Sequence, residues 1–224
     1  KKYNIPLIQD SAHALGAKYK NKNISNFSAF SCYSFQAIKS ITTGDGGMLV
    51  IKDKKHEEKA KRIRWFGIDR EKKSSGIWEN DITEIGYKYQ MTDISAAMGI
   101  AGIDHFEEQL IHRRKLFFKY EKKLKNIPGI KFVNSNEKKF FHGAWLSTVI
   151  VQDRKGLQKK LTENNIESGQ VHYRNDRYKI FSDFKKDNLP NMNKIEDKYL
   201  VLPLHSKIRI RDVDRISNVI KSGW

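Results

Sequence analysis

The residues whose types and spacing could do chemistry gather around one lysine. Lys39 sits in "SFQAIKSITTGDGG" (Ser34–Gly47), between an aromatic, apolar lead-in and a glycine-rich exit. Most other lysines keep charged company, as in "DKKHEEKAKRIR" (Asp53–Arg64). Asp10 closes the apolar run "YNIPLIQD", and Ser34 lies near the close of "SAFSCYSF" (Ser28–Phe35). Ligands of open α/β sheets bind at the carboxyl ends of strands, so the spacing of Asp10 and Lys39 lets both reach one crevice from adjacent strands. Gly44, Gly46 and Gly47 permit positive φ and a close approach of backbone to a ligand. An anionic cofactor that forms an imine would use the whole set. The lysine supplies an amine, the carboxylate pairs with a protonated ring nitrogen, and a hydroxyl with backbone N–H groups holds a phosphate. Each group also has a plainer role. Asp10 could cap the next element, Ser34 could bond its own backbone, and "TTGDGG" could be a simple turn.

The elements that must position these groups follow from hydrophobic period and punctuation. "YNIPLIQD" reads as a short buried strand, and Ser28–Phe35 and Gly47–Ile51 read as two more strands. Asp53 is an N-cap signal for a helix over Lys54–Phe66, and Gly67–Asp81 is polar enough for a loop. A long helical pattern starts at Thr92 or Asp93 and runs through Ile94, Met98, Phe106, Leu116 and Phe117 to Leu124. It breaks at "NIPGI" (Asn126–Ile130), where Pro128 and Gly129 mark the expected boundary between residues 1–127 and a smaller domain, 128–224. The second part reads as a strand at Ala144–Val151, a helix at Arg154–Asn165 and an amphipathic helix at Ile210–Ser222. The first residues read as the end of a helix entering the next strand of a parallel αβ unit. Three strands are few for an α/β sheet, so the pattern suits the later portion of a longer protein.

Composition narrows the partners. The formal net charge is +17, which suits nucleic acid, an anionic membrane or a phosphorylated substrate. The basic residues are spread along the chain with acids nearby, and no zinc-finger spacing, RNP motif or basic tail is present, so most of the charge reads as solvated faces. No apolar run is long enough for a membrane span. Cys32 is the one cysteine, which excludes an internal disulfide and suits a reducing, cytoplasmic compartment.

The ordered series "IQDSAHALGAKYKNKNISNFSAFSCYSFQAIKSITTGDGGMLVIKD", "RWFGIDRE" (Arg64–Glu71), "EIGYKYQMTDISAAMGI" (Glu84–Ile100), "VHYRNDRY" (Val171–Tyr178) and "LPLHS" (Leu202–Ser206) resembles the DegT/DnrJ/EryC1/StrS family. These are nucleotide-sugar aminotransferases that use pyridoxal 5′-phosphate. The resemblance implies an α/β fold: the later part of an aspartate-aminotransferase-like (fold type I) domain, followed by a smaller α+β C-terminal domain. It implies that Lys39 carries the cofactor imine and that Asp10 pairs with the ring nitrogen. It further implies His13 beside the ring, Ser34 on the phosphate, and His172, Tyr173 and Arg174 near the sugar. Gln36 replaces a common histidine and receives no role. Lys88 replaces an asparagine that reaches the phosphate of a neighbouring subunit; a lysine there could meet phosphate as a point charge or face solvent.

The implied reaction is transamination of a nucleotide-linked keto-deoxysugar with glutamate or glutamine as donor, in a homodimer with shared active sites. Lys39 then acts as general base, its pKa lowered by desolvation and a cationic ring. A substrate diphosphate gives part of the positive charge a purpose. The alternatives are a sugar dehydratase of the same family, in which a histidine replaces the imine lysine, and an inactive fragment or partner.

Overall fold

The computed structural model describes residues 3, 5–74, 76, 82–133, 139–184 and 189–224. In chain order these form β1 (Ile8–Asp10), β2 (Lys18–Tyr19), β3 (Lys22–Asn23), β4 (Phe30–Ser34), β5 (Gly47–Ile51), α1 (Glu57–Arg64) and α2 (Arg70–Ser74). There follow α3 (Asp93–Asp104), α4 (Phe106–Leu124), β6 (Ile130–Phe132), β7 (Phe140–Phe141), β8 (Ser147–Val151), α5 (Arg154–Glu163), α6 (Pro190–Ile195), β9 (Tyr199–Leu202) and α7 (Ile210–Lys221). Backbone contacts divide the chain into two units: residues 1–107 with 139–143, and residues 108–138 with 144–224. The expected boundary, Pro128–Gly129, is the turn from α4 into β6 inside the second unit; Gly129 has φ +80°.

The first unit is built on a sheet of order β1-β4-β5. β1 runs parallel to β4, with Asp10 opposite Cys32, and β4 runs antiparallel to β5 from Phe30–Ile51 to Ser34–Gly47. All three expected strands are present: β1 and β4 are shorter than their apolar runs, and β5 has the expected bounds. The one apolar residue of β1, Ile8, is 67% exposed, contrary to the expected buried strand. Beneath β4 the buried groups are polar: the Ser28 and Ser31 hydroxyls lie 2.7 Å apart, and Ser28 donates to Gln9 Oε1 at 3.1 Å. A second small sheet, β3-β2-β7, was not legible in the sequence because two-residue strands carry no period.

Three helical expectations change. Asp53 does cap, accepting from the Lys55 amide, but it caps a 3-10 turn (Lys54–His56) that leads into α1. The expected 67–81 loop contains α2; residues 75 and 77–81 lie outside the described set. The long helical pattern is two helices. At His105 the amide turns to the Ile103 carbonyl, so the i→i−4 ladder is interrupted before α4.

The second unit holds the apolar core. β6-β8-β9 is antiparallel throughout. Alternate residues of β8 are buried (Ser147, Val149, Val151), as period 2 requires. α4 turns Arg113, Leu116, Phe117, Tyr120 and Leu124 inward, and α7 turns Val213, Ile216, Ser217 and Ile220, each at i, i+3, i+4, i+7 spacing. The Tyr120 hydroxyl donates to the Pro203 carbonyl at 3.2 Å, and its burial raises the phenol pKa. Arg113 is buried as well, donating to the carbonyls of Ala144 (3.0 Å), Trp145 (2.8 Å) and Leu204 (3.3 Å). It thereby fixes the turn at Ala144, which sits at φ +48°.

Two substitutions test this architecture. Leu116 is fully buried, so Leu116→Ala should lower the stability of the second unit by about 2–5 kcal/mol in denaturant unfolding. A Cβ on Gly86 would overlap the backbone of Phe66 and Gly67. Gly86→Ala should therefore cost about 3 kcal/mol or more, and an unchanged melting curve would contradict the close crossing.

Candidate active site

Lys39 is presented by a backbone clasp at the end of β4. Phe35 donates its amide to the Gly46 carbonyl at 2.8 Å and accepts from the Thr43 amide at 2.9 Å. Residues 36–42 therefore bulge out as a closed loop. Within it the Lys39 amide bonds the Gln36 carbonyl at 2.9 Å, and the Thr42 hydroxyl donates to the Phe35 carbonyl at 3.3 Å. The glycines fit the clasp sterically. A Cβ on Gly47 would lie 2.7 Å from the Tyr33 carbonyl, and one on Gly46 would overlap the Thr43 hydroxyl. The Met91 methyl comes within 3.0 Å of the same point. Gly44 turns at φ +80° with open space where a side chain would stand. The glycine signal in the sequence thus has a stated cause: close backbone approach at Gly46 and Gly47, and a left-handed turn at Gly44.

Asp10 and Lys39 act on each other electrostatically. Desolvation lowers the Lys39 pKa below its ordinary value, and the Asp10 charge offsets part of that effect. The Asp10 carboxylate accepts from the Ala12 amide at 3.0 Å, so the capping role and a charge role coexist on its two oxygens. Ser34 Oγ accepts weakly from the Gln36 amide at 3.3 Å, which leaves the hydroxyl proton to donate to an anion. His13 is exposed in the turn after β1. These groups fit an anionic, imine-forming cofactor: an amine of lowered basicity, a carboxylate within Coulombic reach, a hydroxyl donor and a glycine cradle.

The remaining expected residues are placed differently. Lys88 pairs with Trp65 in an isolated β-bridge, and its ammonium stands over the indole, 3.8 Å from the ring centroid. His172, Tyr173 and Arg174 belong to the second unit. His172 lies 6.3 Å, ring to ring, from Trp145, and Tyr173 packs edge-on against Tyr178 at 5.1 Å. Arg174 is only 7% exposed. Its nitrogens bind both oxygens of Asp176 (2.5 and 2.8 Å), Asn193 Oδ1 (2.6 Å) and Glu196 Oε2 (2.7 Å). Its geometry is that of a residue ordering the 172–178 segment, a role that the sequence pattern "VHYRNDRY" did not separate from ligand contact. The acids that take up Arg174 lie two and 22 residues away, and only the second-unit fold makes the far one a neighbour. Among the described residues no group of three or more His, Cys, Asp or Glu could hold a metal ion. Among the described residues no helix is long and apolar enough to cross a membrane.

Two predictions follow from the charges. Lys39 should acylate in competitive labelling with a midpoint below the roughly 10.4 of ordinary lysines. Asp10→Asn should lower that midpoint further, because the offsetting charge is gone; a rise would contradict the pairing. Arg174 holds Asp176 and Glu196 below their ordinary values of 3.8 and 4.5. Depressed carboxyl pKa values contribute stability above the ordinary values and lose it as pH falls through the folded ones. The drop in Tm caused by Arg174→Ala should therefore be largest near neutral pH and shrink below about pH 4.

Comparison with known proteins places this geometry. The model of the DegT/DnrJ/EryC1/StrS aminotransferase family matches residues 1–221. The UDP-4-amino-4,6-dideoxy-N-acetyl-beta-L-altrosamine transaminase of Campylobacter jejuni is 28% identical over 230 residues, covering 99% of this chain and 59% of that protein. The crystal structure of the sugar aminotransferase CalS13 from Micromonospora echinospora superposes with a TM-score of 0.90 at 26% identity, over 97% of this chain and 58% of that one. The PLP-form of Spr1654 from Streptococcus pneumoniae gives 0.87 at 25% identity, over 97% and 57%. The chain thus spans about three fifths of the length of these relatives.

Proposed function

Since the chain belongs to the DegT/DnrJ/EryC1/StrS aminotransferase family, we propose that it carries the lysine half of a sugar-nucleotide aminotransferase site with pyridoxal 5′-phosphate as cofactor. The observation that carries the reading is the clasped loop: a lysine of lowered basicity, electrostatically paired with a carboxylate, on a loop that closes at Gly46 and Gly47, where a side chain has no room. When bound, pyridoxal phosphate supplies an electron sink for deprotonation at a carbon bearing nitrogen.

The chain's own residues divide the remaining work. Lys39 Nζ would hold the cofactor and would take and return the proton at the reacting carbon; the desolvation that lowers its pKa favours the neutral form this needs. The Asp10 carboxylate holds a proton on the cofactor's ring nitrogen, which keeps the ring electron-poor. The Ser34 hydroxyl and the amides around Gly44 bind the phosphate. His13 borders the ring. The substrate is a nucleotide-linked keto sugar, and glutamate or glutamine is the amino donor. The His172–Tyr173 segment contributes to the sugar site, with Arg174 holding it in shape. A second copy of the chain completes each site, and Lys88 supplies charge near the phosphate. A lysine at position 39 favours transamination over the dehydration that related enzymes with histidine there perform.

The test is chemical. Protein mixed with pyridoxal phosphate and reduced with borohydride should carry a pyridoxyl label on the Lys39 peptide and on no other peptide to a comparable extent. Lys39→Ala should abolish the label. Asp10→Asn should keep it but slow the half-reaction with glutamate by about a hundredfold or more. Labelling spread over the surface lysines at equal yield would refute the reading.

A further inference from the structure

A cleft of about 470 Å³ lies within the second unit, between the end of β9, residues 165–171 and α7. That size suits a small molecule. Its floor is apolar and belongs to the core: Ile166, Leu202, Leu204 and Ile216 are all buried. Its walls are held by hydrogen bonds to the backbone. The Ser168 carbonyl accepts from Gln158 Nε2 at 3.2 Å, the Gly169 carbonyl from the Val201 amide at 2.9 Å, and the Leu204 carbonyl from Arg113 at 3.3 Å. None of these bonds uses a side chain of the cleft's rim, so the cavity is shaped while its polar groups stay available.

Three of those groups have capacity to spare. Ser168 Oγ is buried with no hydrogen-bond partner, a costly state that a ligand would relieve. Arg215 gives one donor to the Asn164 carbonyl, out of the five a guanidinium carries. Glu167, also in the lining, makes no ion pair with any described residue. The other carboxylate there, Asp212, is already taken: it accepts from the Arg209 amide at 2.8 Å and from the Arg209 guanidinium at 3.0 Å.

One uncommitted cation and one uncommitted anion beside an apolar floor match a zwitterion with an apolar tail. A phosphate would meet Glu167 as well as Arg215, with repulsion from the first, and would leave the floor unfilled.

We infer that this cleft binds a free amino acid with an apolar side chain. The ligand's carboxylate meets Arg215 in a charge-assisted pair and takes the Ser168 hydroxyl proton. Its ammonium meets Glu167, and its side chain covers Ile166, Leu204 and Ile216. Such a site needs no cofactor and lies in a different unit from Lys39.

The test titrates the full chain by calorimetry, without pyridoxal phosphate. The ligands are L-leucine, isocaproate, which lacks the amine, and isoamylamine, which lacks the carboxylate. Leucine should bind, and each analogue should bind about tenfold or more weakly. Arg215→Gln should erase the advantage of leucine over isoamylamine, and Glu167→Gln its advantage over isocaproate. A Cβ on Gly169, in the wall of the cleft, would meet nothing within 4 Å. Gly169→Leu should therefore melt as the parent does and bind no leucine. Lys39→Ala should bind leucine unchanged; a loss there would move the amino acid to the lysine site and overturn the inference. It is equally overturned by a parent chain that binds no leucine, by isocaproate binding as tightly as leucine, or by leucine affinity that survives Gly169→Leu. Light scattering in which Gly169→Leu alone splits a dimer would also overturn it, since a second copy of the chain would then fill the cleft.

Discussion

The clasp made by Phe35, Thr43 and Gly46 is the constraint on which the candidate site depends. Two backbone hydrogen bonds, to and from one residue, close the loop that carries Lys39. They exist because β4 and β5 pair in register up to Ser34–Gly47, and because Gly46 and Gly47 let the chains approach. A slip of one residue in this pairing would turn the alternating side chains to the opposite faces and move the loop's base. The backbone of the lysine is thus held by the pairing of β4 with β5.

The same approach recurs at each layer around the loop. Gly99 of α3 stands against the Thr43 methyl group and Gly102 against Ile41, so the helix lies close to the loop only because two of its residues lack side chains. Gly86 and Gly67 cross without room for a Cβ, which fixes the segment that carries Tyr87, Lys88 and Tyr89. Such crossings are rigid, since moving either chain requires moving both. Closely held backbone around Lys39 is what the proposed site would need for preorganisation.

The two units differ in what holds them. The second is a conventional apolar core, with Leu116, Leu157, Leu200 and Ile220 fully buried between one antiparallel sheet and its helices. The first buries few large apolar side chains, Phe35 and Ile41 among them, and exposes Leu7 and Ile8. Its order comes from backbone pairing, buried serine hydroxyls and glycine contacts. The candidate lysine site lies in the unit with less core.

The amino-acid sequence by itself determined the strands β1, β4 and β5, the cap at Asp53, the helix α7 and the grouping of Asp10, Ser34 and Lys39. Each depends on local pattern: apolar period, a capping side chain, or glycines at fixed offsets from a strand end. It did not determine the break at His105, the two-residue strands, or the partners of Lys88 and Arg174. The helical period continues across His105 in the sequence, and only the hydrogen-bond ladder shows the interruption. Arg174 reads as one more cation in a polar run until the fold brings Glu196 to it across 22 residues. Lys88 meets the Trp65 ring only through a bridge between distant segments. Side-chain type and spacing fix what a residue can do, but which charges are already satisfied is a property of long-range neighbours, and that was decided by tertiary structure alone.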